Sequence, residues 1–290
     1  MLRHLLAPQA RTMSRWCRSI LPRKTGFRIL IFHDVLPSER EAFKALILFL
    51  TENQMLISPD QAMAWVSEKI PDEINQGKSN QHYVLSFDDG FIGNYEIAAE
   101  VLSPRGIKAL FFVCPVLVNL HKTAQFDAIS NNIVPDFLKS GRDIQQMQLM
   151  DWEQIKDLDC AGHTIGAHGM THQALNTLHG EALRYEILTS AEILENQISK
   201  AVNWYAYAFG GVKNISAAAL EIIAQQFPMC RSGVRGLNNR ATDSHALFAD
   251  HVDLSAPEPY QHLILEGGLD PAYALKRKQL RTMLQKQKVA

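Results

Sequence analysis

Short apolar runs alternate with helical patterns about six times along this chain, and that order admits few folds. The runs include FRILIFHDV from Phe27, YVLSFDDGF from Tyr83, KALFFVC from Lys108, His163–Gly166, WYAYAFG from Trp204, MCRS from Met229 and ALFADHVDL from Ala246. Helical spacing covers residues 39–52, 59–68, 92–103, 150–158, 174–200 and 214–227, with a basic helix at roughly 270–286. Ser58 before Pro59 is a good helix cap, and Leu183, Ile187, Ala191, Leu194 and Ile198 form one apolar stripe. PDEINQGKSN reads as a surface loop, and residues 117–148 as an irregular excursion with short helices. The alternation predicts a parallel sheet, open or closed as a barrel, with chemistry at the C-terminal ends of the strands.

The chain has 290 residues, 47% of them hydrophobic, which suits one sizeable domain or two small ones. Its charge is uneven. Met1–Arg28 holds seven Lys/Arg and no acid, and the residues after Asp270 hold six more and no acid. Residues 29–270 carry 16 basic and 30 acidic side chains. The expected division is a basic segment at 1–25, a central domain at 26–269 and a basic helix or tail at 270–290. Such ends are either solvated tails or contacts for an anionic surface such as inner-leaflet lipid. Leu5, Met13, Trp16 and Ile20 could form the apolar side of a basic N-terminal helix lying on a membrane. The same Arg-rich, acid-free segment also resembles a mitochondrial transit peptide. No run has the length of a signal-peptide core or a membrane span, so a cytoplasmic protein, peripheral at the inner face of a membrane, is expected. Cys17, Cys114, Cys160 and Cys230 are scattered without a paired spacing, which argues against a disulfide framework or zinc finger and for a reducing compartment. An acidic body argues against nucleic-acid binding.

The unusual polar residues fall at strand ends. Side chains alternate along a strand, so Asp88 and Asp89 point the same way only if the strand has ended, and Gly90 lets the chain turn there. One carboxylate can then hold a cation while its neighbour serves as a base. In GHTIGAHGMTH, His168 and His172 are four apart, a spacing that on a helical turn puts both imidazoles on one face. Two histidines and one aspartate leave a position open for water, as catalytic sites require. His163 reads better as a buried, hydrogen-bonded core histidine.

SFDDGF and GAHGMTH closely resemble the first two motifs of the polysaccharide deacetylases, the NodB-homology family. FHDV resembles the family's opening strand, and YAYAFGG its third motif. The resemblance implies an α/β fold, a distorted (β/α) barrel of about seven mostly parallel strands. It implies Asp88 as general base and Asp89, His168 and His172 as ligands of a divalent metal, Zn²⁺ first, with another first-row ion as the alternative. It implies that the backbone N–H of Phe209 helps hold the oxyanion. Three positions depart from the pattern. Gly169 stands where Ser or Thr is usual, Ala208 replaces a proline, and Ala206 stands where an arginine steadies the base. Arg231 or Arg235 could replace that arginine. The histidine that protonates the leaving amine has no close match; His251, His33 and His262 are the candidates, in that order. The expected activity is removal of the N-acetyl group from an amino sugar carried on lipid or nucleotide diphosphate. Hydrolysis of a non-sugar amide, saccharide binding without turnover, and a structural role in polysaccharide assembly are the alternatives.

Overall fold

The computed structural model describes residues 7–12, 25–67, 81–133 and 147–287. The loop at 71–80, part of the 117–148 excursion, and Leu5, Met13, Trp16 and Ile20 lie outside those residues. Seven parallel strands form one sheet: β1 (Gly26–Phe32), β2 (Gln81–Phe87), β3 (Leu110–Val113), β4 (Thr164–Ala167), β5 (Trp204–Ala206), β6 (Met229–Arg231) and β7 (Ala249–His251). Their spatial order is β6-β5-β4-β3-β2-β1-β7. The residues ahead of β7 nearly close the ring: Leu247 pairs with Arg231, its N–H donates to Cys230 O at 3.0 Å, and its carbonyl accepts from Ser232 N at 2.8 Å. The open-or-closed choice left by the alternation is thus resolved as a distorted barrel.

The two-residue period of each strand divides the core in two. Phe27, Ile29, Ile31, Val84, Leu110, Phe112, Trp204, Ala206, Met229 and Ala249 pack together inside the barrel. Leu30, Phe32, Leu85, Phe87, Phe111, Val113, Ile165, Ala167, Tyr205 and Cys230 face the helical layer. The N-terminal mouth is plugged by Trp65 of α2 (Pro59–Val66), which follows α1 (Arg40–Glu52) and packs on Phe27 and His82. The Ser58 cap of α2 is present, its side chain accepting from Gln61 N at 3.1 Å. With the bottom filled, only the C-terminal mouth is left for chemistry.

Following the inward parity to the strand ends brings Arg231 and His251 to that mouth, and one step beyond the ends it brings His33, Asp88 and His168. The strands WYAYAFG and ALFADHVDL are shorter than their apolar runs, because the chain turns at Ala208–Phe209 and because Leu247 is used in closure. A helix at Glu258–Leu265, which periodicity leaves unassigned, follows β7. The last helix, Ala274–Gln287, is docked: Leu280 and Leu284 are buried, and Arg277 donates to Arg235 O and Asp270 O. A buried Arg28 ties Asp250 of β7 to Asp270 ahead of that helix, at 2.8 and 2.6 Å.

His163 precedes β4 and stays away from the mouth. Its Nδ1 accepts from Ala109 N at 3.2 Å and its Nε2 meets Ser103 Oγ at 3.1 Å, so the ring is held neutral. Burial, then the charge of Lys108, lowers its pKa to about 4. The unfolded chain therefore takes up this proton at a higher pH than the folded one. The stability contributed is complete above about pH 6.5 and is lost as pH falls towards about 4. His163→Gln should flatten the fall in the urea midpoint between pH 7 and pH 5; an unchanged fall would show that His163 carries none of it.

Candidate metal centre

Asp89 follows β2, and His168 and His172 follow β4. One ligand atom from each lies within 4.8 Å of the others, and all three side chains are buried. The expected helical turn between the histidines is corrected: β4 ends at Ala167 and residues 168–174 form an irregular loop, with Gly169 at φ 82° and His172 at φ 61°. The imidazoles converge because their outer nitrogens are tied to different carbonyls. His168 Nδ1 bonds to Ala206 O at 2.7 Å and His172 Nδ1 to Asn132 O at 2.8 Å. A carbonyl can only accept, so each Nδ1 carries a proton and each Nε2 is turned towards Asp89.

The Nε2 atoms stand 3.3 and 3.2 Å from Asp89 Oδ1. Neither contact has hydrogen-bond alignment, and both Asp89 oxygens are buried without a hydrogen-bond donor among the described residues. A buried carboxylate in that condition is costly. The separations match those between ligands about 2.0–2.2 Å from one tetrahedral centre. The residues present therefore fit a divalent cation. Electrostatics agree. Burial pushes the Asp89 carboxyl up, but His168, His172 and then His33 outweigh it and hold it well below the usual range. Burial lowers His172, but Asp89, the Asn132 carbonyl and Asp88 together outweigh it and raise its pKa. The pocket attracts positive charge, as a site for a divalent cation must.

Asp88 Oδ1 accepts from Arg231 Nη2 at 2.5 Å. Arg231 is buried and its guanidinium lies 4.8 Å from the centre of the Phe112 ring. An arginine on β6 thus reaches the carboxylate that Ala206, on β5, cannot. Of the two arginines considered, Arg235 is excluded from this role: it bonds to Asp250 and to His251 O.

Asp89, His172 and Phe209 all have left-handed backbones, at φ 72°, 61° and 62°. Non-glycine residues hold that conformation only where surroundings enforce it, and they cluster at functional sites. Phe209 is 45% exposed and its ring meets His172 edge-on at 4.8 Å. His33 and His251 lie side by side, their ring centres 5.2 Å apart, along a cleft with Asp34 and Glu39. Asp250 turns away from His251 towards Arg28 and Arg235, since neighbours along a strand face opposite sides. His262 is not brought to the mouth; it pairs with Glu258 and packs on Phe49 among the outer helices. Two residues were not anticipated: Asn132, and the buried Glu186, which bonds to the 171–173 segment. An acid directly beside Ile187 on the apolar stripe is the signal that marks Glu186.

Residues 75–226 match the model of a family described as polysaccharide deacetylase. YxkH of Bacillus subtilis (strain 168), itself provisionally named a polysaccharide deacetylase, is 22% identical over 245 residues, covering 82% of this chain and 74% of YxkH. IcaB from Ammonifex degensii superposes with a TM-score of 0.62 at 20% identity, covering 85% of this chain and 98% of IcaB. The Streptococcus pyogenes deacetylase PplD, solved with acetate, superposes at 0.61 and 17% identity, covering 83% and 98%. These superpositions establish a shared fold. The family match spans over half of the chain, from before Asp88 to beyond Phe209, and the chain belongs to the polysaccharide deacetylase family.

Breaking a buried ion pair on one side leaves an uncompensated charge. Arg231→Met should therefore lower stability by about 3–5 kcal/mol in urea titrations. It should also lower turnover, while zinc affinity stays within a few-fold of the parent. Unchanged turnover would show that Arg231 does not support Asp88.

Proposed function

We propose that this family member removes the N-acetyl group from an N-acetylated amino sugar. Asp89, His168 and His172 would hold the metal, Zn²⁺ first, and Asp88 would act as the base. The observation that carries this reading is the Asp89 carboxylate, without a hydrogen-bond donor among the described residues and facing two imidazole nitrogens, with the Arg231-held Asp88 next to it. When bound, a divalent cation there lowers the pKa of a water and polarises the acetyl carbonyl.

The chain's own groups supply the remainder. Arg231 engages one oxygen of Asp88, so the other can take the proton of the attacking water. The Phe209 N–H, presented by its left-handed backbone, donates to the oxygen that gains charge as the carbonyl carbon becomes tetrahedral. The C–N bond then breaks, and a histidine protonates the departing nitrogen, giving acetate and a free amine. His251, at the end of β7, is the first candidate for that proton. His33, beside it at the mouth, is the second. The acetate held in PplD is the product this reaction would release.

The substrate proposed is a saccharide on lipid or nucleotide diphosphate. Support comes from the exposed Leu275, Lys276, Lys278 and Arg281 on the docked last helix, beside an acidic body. An apolar residue among basic ones suits a peripheral contact with an anionic surface. Among the described residues no helix is long and apolar enough to cross a membrane.

Acetate release, followed by mass spectrometry, tests the reading on lipid-linked sugars in anionic vesicles, on nucleotide-linked sugars and on free sugars. Chelation should abolish release and zinc restore it. Asp88→Asn should keep zinc and lose about 10²–10⁴-fold in turnover, whereas His168→Ala should lose zinc. A fully active Asp88→Asn enzyme would overturn the base assignment, and equal rates on free and vesicle-borne sugars would count against the membrane contact.

A further inference from the structure

We propose that Glu186 is the positioning residue for the metal ligand His172, and that Gly169 is glycine to make room for it. The inference rests on the metal reading of the Asp89, His168 and His172 site and adds a residue that the two motifs do not contain.

Glu186 is 2% exposed and sits in a π turn, Tyr185–Thr189, between the α-helical segments Gly180–Arg184 and Ser190–Ile198. Such turns insert one residue into a helix and are frequent at functional sites. Its carboxylate is satisfied by one short segment. Oε1 accepts from Thr171 N at 2.9 Å and Gln173 N at 3.3 Å, and Oε2 accepts from Thr171 Oγ1 at 2.8 Å. Those two N–H groups flank His172 on either side. Asn132 closes the clamp: its carbonyl accepts from His172 Nδ1, and its side chain donates to Thr171 O at 3.3 Å.

The clamp answers a specific need. His172 has a left-handed backbone, a conformation that costs about 1–3 kcal/mol and persists only when its surroundings over-determine it. In a helix the amides of residues 171 and 173 would bond to carbonyls four residues back. Here they bond to a carboxylate, in charge-assisted bonds stronger than neutral ones. The loop is thereby kept out of the helical path, and the imidazole can bring its Nε2 to Asp89.

Gly169 follows from the same contact. A Cβ at 169 would lie 2.6 Å from Glu186 Oε1, and the residue is left-handed at φ 82°. The Ser or Thr usual at this position would require the Glu186 carboxylate to shift from the place where it holds the loop, and would have to adopt a left-handed backbone.

Zinc affinity of chelator-stripped protein, measured by competition with a chromophoric chelator, tests the proposal, with circular dichroism and urea midpoints recorded beside it. Glu186→Ala should weaken zinc binding by about 10–100-fold, as loss of a partner that orients a ligand typically does. Glu186→Gln, which keeps an acceptor for both amides, should recover most of that affinity. Parental affinity in folded Glu186→Ala would overturn the proposal. If Glu186→Ala does not fold, Thr171→Val carries the test by deleting the Oγ1–Oε2 bond alone. A drop of several-fold supports the clamp and parental affinity overturns it. A parent chain that binds no zinc would instead contradict the metal reading itself.

Discussion

Inside the mouth of the barrel, a carboxylate that has no hydrogen-bond donor among the described residues faces two imidazole nitrogens, and the surrounding structure is arranged to keep it so. Left alone, Asp89 would be an unpaired buried charge, the kind of group proteins neutralise or expose. Both escapes are closed. Asp89 is 2% exposed, and the histidines that could turn a donor towards it hold their Nδ1 protons on Ala206 O and Asn132 O. A cation satisfies all three groups together. The left-handed backbones at Asp89 and His172 are the local cost of that convergence.

Strand parity connects this site to the fold. Residues two apart along each strand share a face, so the positions that fill the barrel with Phe, Ile, Trp and Met also deliver His33, Asp88, His168, Arg231 and His251 to its mouth. The same parity separates Asp250 from His251 and sends it to the Arg28 network outside the barrel. Because parity is shared by all strands, a side chain lost on one can be supplied from another. Arg231 on β6 takes the place that Ala206 leaves empty on β5 and reaches Asp88 past Phe112.

The strand–helix alternation and the grouping of Asp89 with His168 and His172 were legible in the sequence, because apolar runs and D-D-G with H-x-x-x-H each have a direct physical meaning, whereas the order of the strands in the sheet was not. The path of the 168–172 loop was not legible. The spacing of His168 and His172 suits one helical turn, but the loop is tied instead to Glu186 on the following helix, recognisable in the sequence only as an acid beside the apolar stripe. The choice between Arg231 and Arg235 depended on which strand each occupies and how the ring closes. Sequence ranked the candidate acids His251, His33 and His262 in that order from strand position alone; the barrel brings the first two together and leaves His262 among the outer helices. The helix at Glu258–Leu265 is short enough that its periodicity is ambiguous.

X-ray absorption at the zinc edge, on stoichiometrically loaded protein, tests the central claim most directly. Two imidazole nitrogens and one carboxylate oxygen at about 2.0–2.2 Å, with the imidazole contribution falling from two to one in His172→Ala, are the predicted result. Sulfur at about 2.3 Å, or a spectrum unchanged by His172→Ala, would contradict it.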